Sequence, residues 1–309
     1  ACSYPFLAVF NACAAIYRSM GNAKISMKMS VGMNIFNAIG NAILIFGLSM
    51  GVAGAALSTL MARVLGAIFI LVLSTRAENE VRVNYKELLI LKKDMVRRIL
   101  NIAIPSGVEN GLFQLGRVLV VSIIAMFGTA QIAANAVANT LDSMGCIAGQ
   151  AMNLAMITVV GKCMGAGDRE QAIYYTKRLW KITYMITIVI NAVILLGLPL
   201  ILKIFALSSE AYRYAYILVM IHDGMAMFLW PTSFTMPNAL RAAGDVKFCM
   251  VISIFSMFVF RIFFSVIFGI WLGYGAVGVW VAMVLDWIFR SILFTWRFVQ
   301  GKWLEYNVI

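Results

Sequence analysis

Charge is scarce in this chain. Only 12% of its 309 residues are Asp, Glu, Lys or Arg, and thirteen of them are acidic; an ordinary soluble domain carries about 25% charged residues. With 62% apolar residues, a globule of this size lacks the interior to hide its apolar surface and the charge to keep the remainder in water. Disorder is excluded as well, since it requires low hydrophobicity. Histidine is represented by His222 alone, and the five cysteines (Cys2, Cys13, Cys146, Cys163 and Cys249) form no CxxC or Cys/His spacing. No zinc site or disulfide framework is therefore expected, no metal site is assigned, and the cysteines read as small packing residues. No DxxD or DxxxD pair occurs, so the diphosphate chemistry of membrane transferases lacks its residues and no enzyme is expected. The alternating ten-residue strands of a membrane barrel are absent too.

What is present is length and hydrophobicity in blocks. The mean hydropathy is +0.91, and nine apolar stretches are long enough to cross a bilayer, which takes ~20 residues. They lie at roughly 2–20, 28–48, 53–75, 99–127, 131–162, 176–206, 211–240, 246–272 and 276–299. The net charge of +12 has its explanation in the loops. Loops on one side hold Arg18, Lys24 and Lys28, a basic run from Arg76 to Arg98, Lys162 to Lys181, Arg241, Lys247, Arg297 and Lys302; the opposite loops have only Lys203 and Arg213 nearby. Basic residues collect on the cytoplasmic side of membrane proteins. The C-terminus is thus expected in the cytoplasm, with the lipid bilayer rather than nucleic acid as the partner of the positive charge.

A long-period repeat overlies the spans. Arg18-Ser19-Met20-Gly21-Asn22-Ala23-Lys24 matches Arg241-Ala242-Ala243-Gly244-Asp245-Val246-Lys247 at an offset of 223, and Gly51-Val52-Ala53-Gly54 matches Gly275-Ala276-Val277-Gly278 at 224. Six spans separate the copies, so both face the same way, as in parallel-repeat transporters. The pattern predicts an all-α integral membrane protein with two lobes, 6+6 helices in full and about nine present. Residues 1–75 form part of a first lobe, 76–98 a charged cytoplasmic linker, 99–300 a complete second lobe and 301–309 a cytoplasmic tail. Nine spans with an inside C-terminus put residue 1 outside, and the repeat predicts three further helices ahead of it.

Four acids (Glu109, Asp142, Asp223 and Asp286) and four arginines (Arg63, Arg117, Arg261 and Arg290) fall inside spans. Each costs about 2.5–3.5 kcal/mol at mid-bilayer and requires a reason. Asp286 and Arg290, at i and i+4 on the last span, are expected to form a structural ion pair. Glu109, Asn110, Gln114 and Arg117 make a polar stripe on span four, just beyond Pro105. A carboxylate in a low-dielectric cavity there suits reversible protonation. Asn139 and Asp142 give span five a polar face, and Asp223 beside His222 reads as a structural or gating pair. Asn110, Gln114, Asn139, Asp142 and Asp223 are the candidates for lining a substrate cavity.

Ile102-Ala103-Ile104-Pro105-Ser106-Gly107-Val108-Glu109-Asn110, Phe127-Gly128-Thr129, Ile132-Ala133-Ala134-Asn135, Val160-Gly161 with Gly165-Ala166-Gly167-Asp168, and the two Arg-x-x-Gly loops stand in an order that resembles the multidrug and toxic compound extrusion (MATE) family. The resemblance implies a monomeric secondary active antiporter in the bacterial inner (plasma) membrane. It would exchange H+ or Na+ for small amphipathic, often cationic, drugs by alternating access, with Glu109 in cation coupling and no cofactor. A lipid-linked oligosaccharide flippase of the same superfamily, or an inactive partial chain, is the alternative.

Overall fold

The computed structural model describes residues 2–76, 81, 83–84 and 93–306. The charges at 78, 80, 82, 86, 87 and 92 of the expected linker, and residues 307–309 of the tail, lie outside the described residues. Among the described residues the secondary structure is helical throughout. A 16-residue helix α1 (Tyr4–Ser19) precedes eight helices long and apolar enough to cross a membrane: α2 (Ala23–Gly47), α3 (Gly51–Ser74), α4 (Lys93–Ala125), α5 (Thr129–Gly165), α6 (Arg169–Ile204), α7 (Ser209–Ala242), α8 (Val246–Trp271) and α9 (Gly275–Gln300). The nine expected spans coincide with these helices to within several residues at each end. The first is shorter than a full crossing, and α4 to α7 extend beyond one. The chain divides into two compact units, Ala1–Val96 and Arg97–Ile309.

Local chemistry sets the helix ends. Asp168 accepts from the Gln171 amide at 2.9 Å and Ser208 from the Ala211 amide at 3.3 Å, capping α6 and α7. The repeated Arg-x-x-Gly turns share one hydrogen-bond pattern. Gly21 donates to Arg18 O and Asn22 to Tyr17 O; 223 residues later Gly244 donates to Arg241 O and Asp245 to Leu240 O. Both glycines sit at positive φ, +81° and +101°, which closes each helix with a left-handed residue.

The second repeat element corresponds just as closely. The wide π-type turn Ala42–Gly47 recurs as Val266–Trp271, an offset of 224. Leu48 to Ile43 O and Met50 to Leu44 O recur as Leu272 to Ile267 O and Tyr274 to Phe268 O. The offset grows by one residue between the two matches, and α8 shows where. Its segment Met257–Phe263 is a second wide turn, whereas the same stretch of α2 remains α-helical up to Asn41. A π turn accommodates one extra residue in a helix. That turn carries Arg261.

Between helices in lipid, close packing replaces the hydrophobic effect as the source of cohesion. In the second unit α5 is the central helix. One buried cluster joins Ala134, Val137, Ala138 and Leu141 of α5 to Leu198 and Leu202 of α6, Leu218 and Val219 of α7, and Val279 of α9. A second, toward the basic loops, joins Met156 and Val160 to Met236, Leu240, Phe294 and Trp303. Between them, Gly149 of α5 lies against the Trp230 indole, and a Cβ at that position would collide with the ring. In the first unit Phe10, Cys13, Tyr17 and Ile70 form the core of α1, α2 and α3.

Candidate functional site

The polar residues of the second unit gather where its helices are irregular. Pro231 opens a wide turn, Pro231–Thr235, in α7. Such breaks persist in membranes where neighbours satisfy the freed backbone. Here the Tyr184 hydroxyl of α6 donates to Phe228 O at 2.8 Å, and the Ser291 hydroxyl of α9 donates to Leu229 O at 3.3 Å. The break and the wide turn of α8 flank a cavity of about 230 Å³ lined by residues including Phe113, Arg117, Asn139, Asp142, His222, Arg261 and Trp287. A neighbouring cavity of about 120 Å³ shares Arg117, Asn139, Arg261 and Met283 with it and is otherwise lined mainly by Val120, Val121, Val279 and Trp280.

On the wall of the larger cavity, His222 Nδ1 stands 3.1 Å from Asp223 Oδ1 and 3.4 Å from Asp142 Oδ1. The imidazole is wedged between Trp280 and Trp287, with ring centroids at 4.8 and 4.6 Å. His222 and Asp223 are each 1% exposed, and Asp223 Oδ2 has no partner. One ligand atom from each of Asp142, His222 and Asp223 lies within 4.8 Å of the others, a donor set able to take a proton or a metal cation. The sequence carries no metal spacing for this group because its members come from two helices, α5 and α7. Only the adjacency of His222 and Asp223 is visible in it.

Glu109 is buried at 7% exposure, as its place on an apolar span suggests. Its partner lies on another helix rather than on the stripe. Arg241, from the Arg-x-x-Gly turn at the end of α7, reaches Glu109 Oε1 through Nη2 at 2.5 Å and donates to Asn238 Oδ1 through Nη1 at 3.0 Å. Asn110 and Gln114 lie on an exposed face of α4, outside both cavities, and the Asn110 amide is folded back onto Ser106 O at 2.8 Å. Asn139 and Asp142 line the larger cavity, while Asp223 stands behind its wall through His222.

The expected pair within α9 is corrected. Asp286, fully buried, meets Arg261 of α8 at 3.0 Å between Oδ2 and Nη2. It also accepts from Ser256 Oγ on the same helix as Arg261. The extra residue in α8 turns Arg261 inward, and Asp286 is committed across the helix interface. Arg290 instead lies over aromatic faces, 4.6 Å from the Phe234 centroid, 5.7 Å from Phe294 and 5.8 Å from Phe113. Its Nε and Nη1 have no hydrogen-bond partner.

An apolar helical unit with a buried cation-and-carboxylate cavity, on a chain with a parallel three-helix repeat, has the fold of a two-lobe membrane transporter. The family profile described as MatE matches residues 105–267, and the chain belongs to that family of multidrug and toxic compound extrusion transporters. It is 29% identical over 301 residues to an uncharacterised transporter of Bacillus subtilis, YisQ, covering 94% of this chain and 65% of that protein. It is 27% identical over 311 residues to a Thermotoga maritima protein named a probable multidrug resistance protein NorM, covering 99% and 66%. A solved structure described as the crystal structure of MATE in the bent conformation shares the fold at a TM-score of 0.86 and 21% identity, over 97% of this chain and 66% of that one. The chain thus spans about two thirds of the length of the curated relatives it matches.

Proposed function

We propose that the protein acts as a secondary active exporter of amphipathic organic compounds, a multi-pass protein of the bacterial plasma membrane with its C-terminus in the cytoplasm and active as a monomer. Inward movement of H+ or Na+ drives outward movement of drug. The observation that carries this reading is the Asp142–His222–Asp223 cluster on the wall of a cavity inside an apolar lobe. Intramembrane ionisable groups are costly and mark ion or substrate paths. Relatives named as multidrug resistance proteins support the choice of substrate.

The cluster supplies the differential interaction that alternating access requires. An ion shifts a two-state equilibrium only by the difference in its affinity for the two states. His222 and Asp223 sit a little over two helical turns before the Pro231 break of α7, so a charge change there acts on the element best able to bend. Glu109 has a complementary role: its bond to Arg241 ties the middle of α4 to the far end of α7, and protonation would release that tie.

Proteoliposomes under an imposed inward H+ or Na+ gradient test the reading with a fluorescent cationic dye. Gradient-driven efflux is expected to fall at least about tenfold in Asp223→Asn, equivalent to ~1.4 kcal/mol of lost coupling. Glu109→Gln is expected to lower gradient dependence while leaving dye binding intact. Undiminished gradient-driven efflux in Asp223→Asn removes the cluster from coupling, and the same result in Glu109→Gln removes Glu109.

A further inference from the structure

Arg261 satisfies one carboxylate and has donors to spare. Its Nη2 meets Asp286 at 3.0 Å, yet its Nε has no partner although the residue is only 5% exposed. An unmade hydrogen bond on a buried donor is expensive, and more so on a charged one. Nε and Nη2 form the edge turned toward Asp286, and Nε is enclosed there; Nη1, which is not among the enclosed unpartnered atoms, is the donor left for an oxyanion in the cavities. Arg261 lines both cavities of the second unit, at the junction they share with Arg117, Asn139 and Met283. Arg117 is exposed, and among the described residues it has no carboxylate partner.

The fold does not require these charges. At the offset of 224, Asp286 corresponds to Ala62 and Arg290 to Gly66, and those positions serve the same hairpin of the first unit. Arg261 itself rides on the extra residue of Met257–Phe263, a turn that α2 lacks. Two copies of one scaffold thus differ by an inserted residue that places a guanidinium at a cavity neck. Single-turn π bulges of this kind are frequent at functional sites.

We propose that Arg261, with Arg117 and the second N–H of the Asn139 amide, whose first is held by Asn135 O at 2.8 Å, forms an oxyanion subsite that selects substrates bearing a carboxylate or phosphate in addition to an apolar body. The apolar body fits the adjoining space beside Val120, Val121, Val279 and Trp280. A cationic end, when present, faces Asp142 in the larger cavity. The preferred substrate is then a zwitterionic or anionic amphiphile rather than a simple organic cation. This deepens the transport reading and rests on it only for the statement that the bound molecule is cargo.

Binding to the detergent-solubilised protein, read by ligand fluorescence polarisation without any ion gradient, tests the subsite. The probes are a zwitterionic fluoroquinolone and its carboxyl ethyl ester, which keeps the cation and removes the anion. The protein is expected to bind the zwitterion at least about tenfold more tightly than the ester, roughly the value of one charge-assisted pair. Arg261→Gln combined with Asp286→Asn removes both members of the pair together. Arg290, 3% exposed, remains buried beside the site in this variant, so the variant's monodispersity is checked first; the double variant is expected to lose the preference while holding the ester within about twofold. Arg261→Lys, which keeps the charge and loses the fork, is expected to retain part of the preference.

A short-chain lipid phosphate serves as competitor and separates two sources of the anion. Displacement of the quinolone that depends on Arg261 identifies a lipid headgroup as a ligand of the subsite. Quinolone preference without such displacement assigns the subsite to drug carboxylates. Equal binding of zwitterion and ester by the parent protein, combined with no Arg261-dependent lipid binding, overturns the proposal, as does a preference that survives in the double variant. Absence of gradient-driven efflux by the parent protein with the preference intact would count against the coupling reading and leave the subsite standing.

Discussion

Glu109 and Arg241 form the contact most exposed to single-residue tests. Their side chains are 8% and 22% exposed, so the pair is shielded on one side and wetted on the other. Removing one member of a fully buried pair costs about 3–5 kcal/mol, because the survivor is left charged and unpaired. Screening at Arg241 lowers that figure, and Glu109→Gln is expected to cost about 1–3 kcal/mol. Thermal melting in detergent measures it, and a cycle with Arg241→Gln is expected to show a double variant more stable than the sum of the single losses. The residue scale is also where sequence reading stops. Glu109, Asp142 and Asp223 are recognisable as costly intramembrane acids, and hydropathy alone places them. Which cation each meets depends on helix packing. The i, i+4 spacing of Asp286 and Arg290 describes two side chains on one face, but Arg261 from the neighbouring helix occupies that face first. The aromatic surroundings of Arg290, three rings from α4, α7 and α9, have no signature along the chain.

Helix irregularities organise the element scale. The spans and the repeat are legible because membrane crossing imposes length and apolarity, and the turn glycines recur at fixed offsets. The step from 223 to 224 is equally visible as arithmetic, but its meaning requires the wide turn Met257–Phe263. Deleting one residue within that turn restores regular α-helix, so a protein lacking Val259 is expected to fold. A one-residue deletion within Val246–Ser256 rotates the rest of α8 by about 100° from its packing partners and is expected not to fold. Monodispersity in size-exclusion chromatography distinguishes the two. Contact between Gly149 and Trp230 gives a second test. Gly149→Ala forces the indole to move and is expected to lower stability by about 1–3 kcal/mol, as overpacking does. Trp230→Phe added to it, removing the fused ring, is expected to recover part of that loss in the same melting assay.

At the scale of the whole molecule, charge distribution is the first determinant. Lys24 and Lys247 belong to equivalent loops of the repeat, and Ser49 and Tyr274 to equivalent loops one helix later. In a Cys2→Ser background, Lys24→Cys and Lys247→Cys are expected to be shielded from a membrane-impermeant thiol reagent applied to intact cells. Ser49→Cys and Tyr274→Cys are expected to react, since basic loops stay in the cytoplasm. On that topology the ionisable cluster of α5 and α7 lies within the bilayer, where an ion gradient can act on it. The most direct measurement is gradient-driven efflux of a cationic dye from proteoliposomes of defined orientation, comparing the parent protein with Asp142→Asn and Asp223→Asn. Efflux is expected to follow an inward H+ or Na+ gradient in the parent and to fall at least about tenfold in both variants, with dye binding preserved in Asp223→Asn, whose carboxylate does not line the cavity. Efflux that ignores both gradients in the parent, or follows them undiminished in the variants, would contradict ion-coupled export through this cluster.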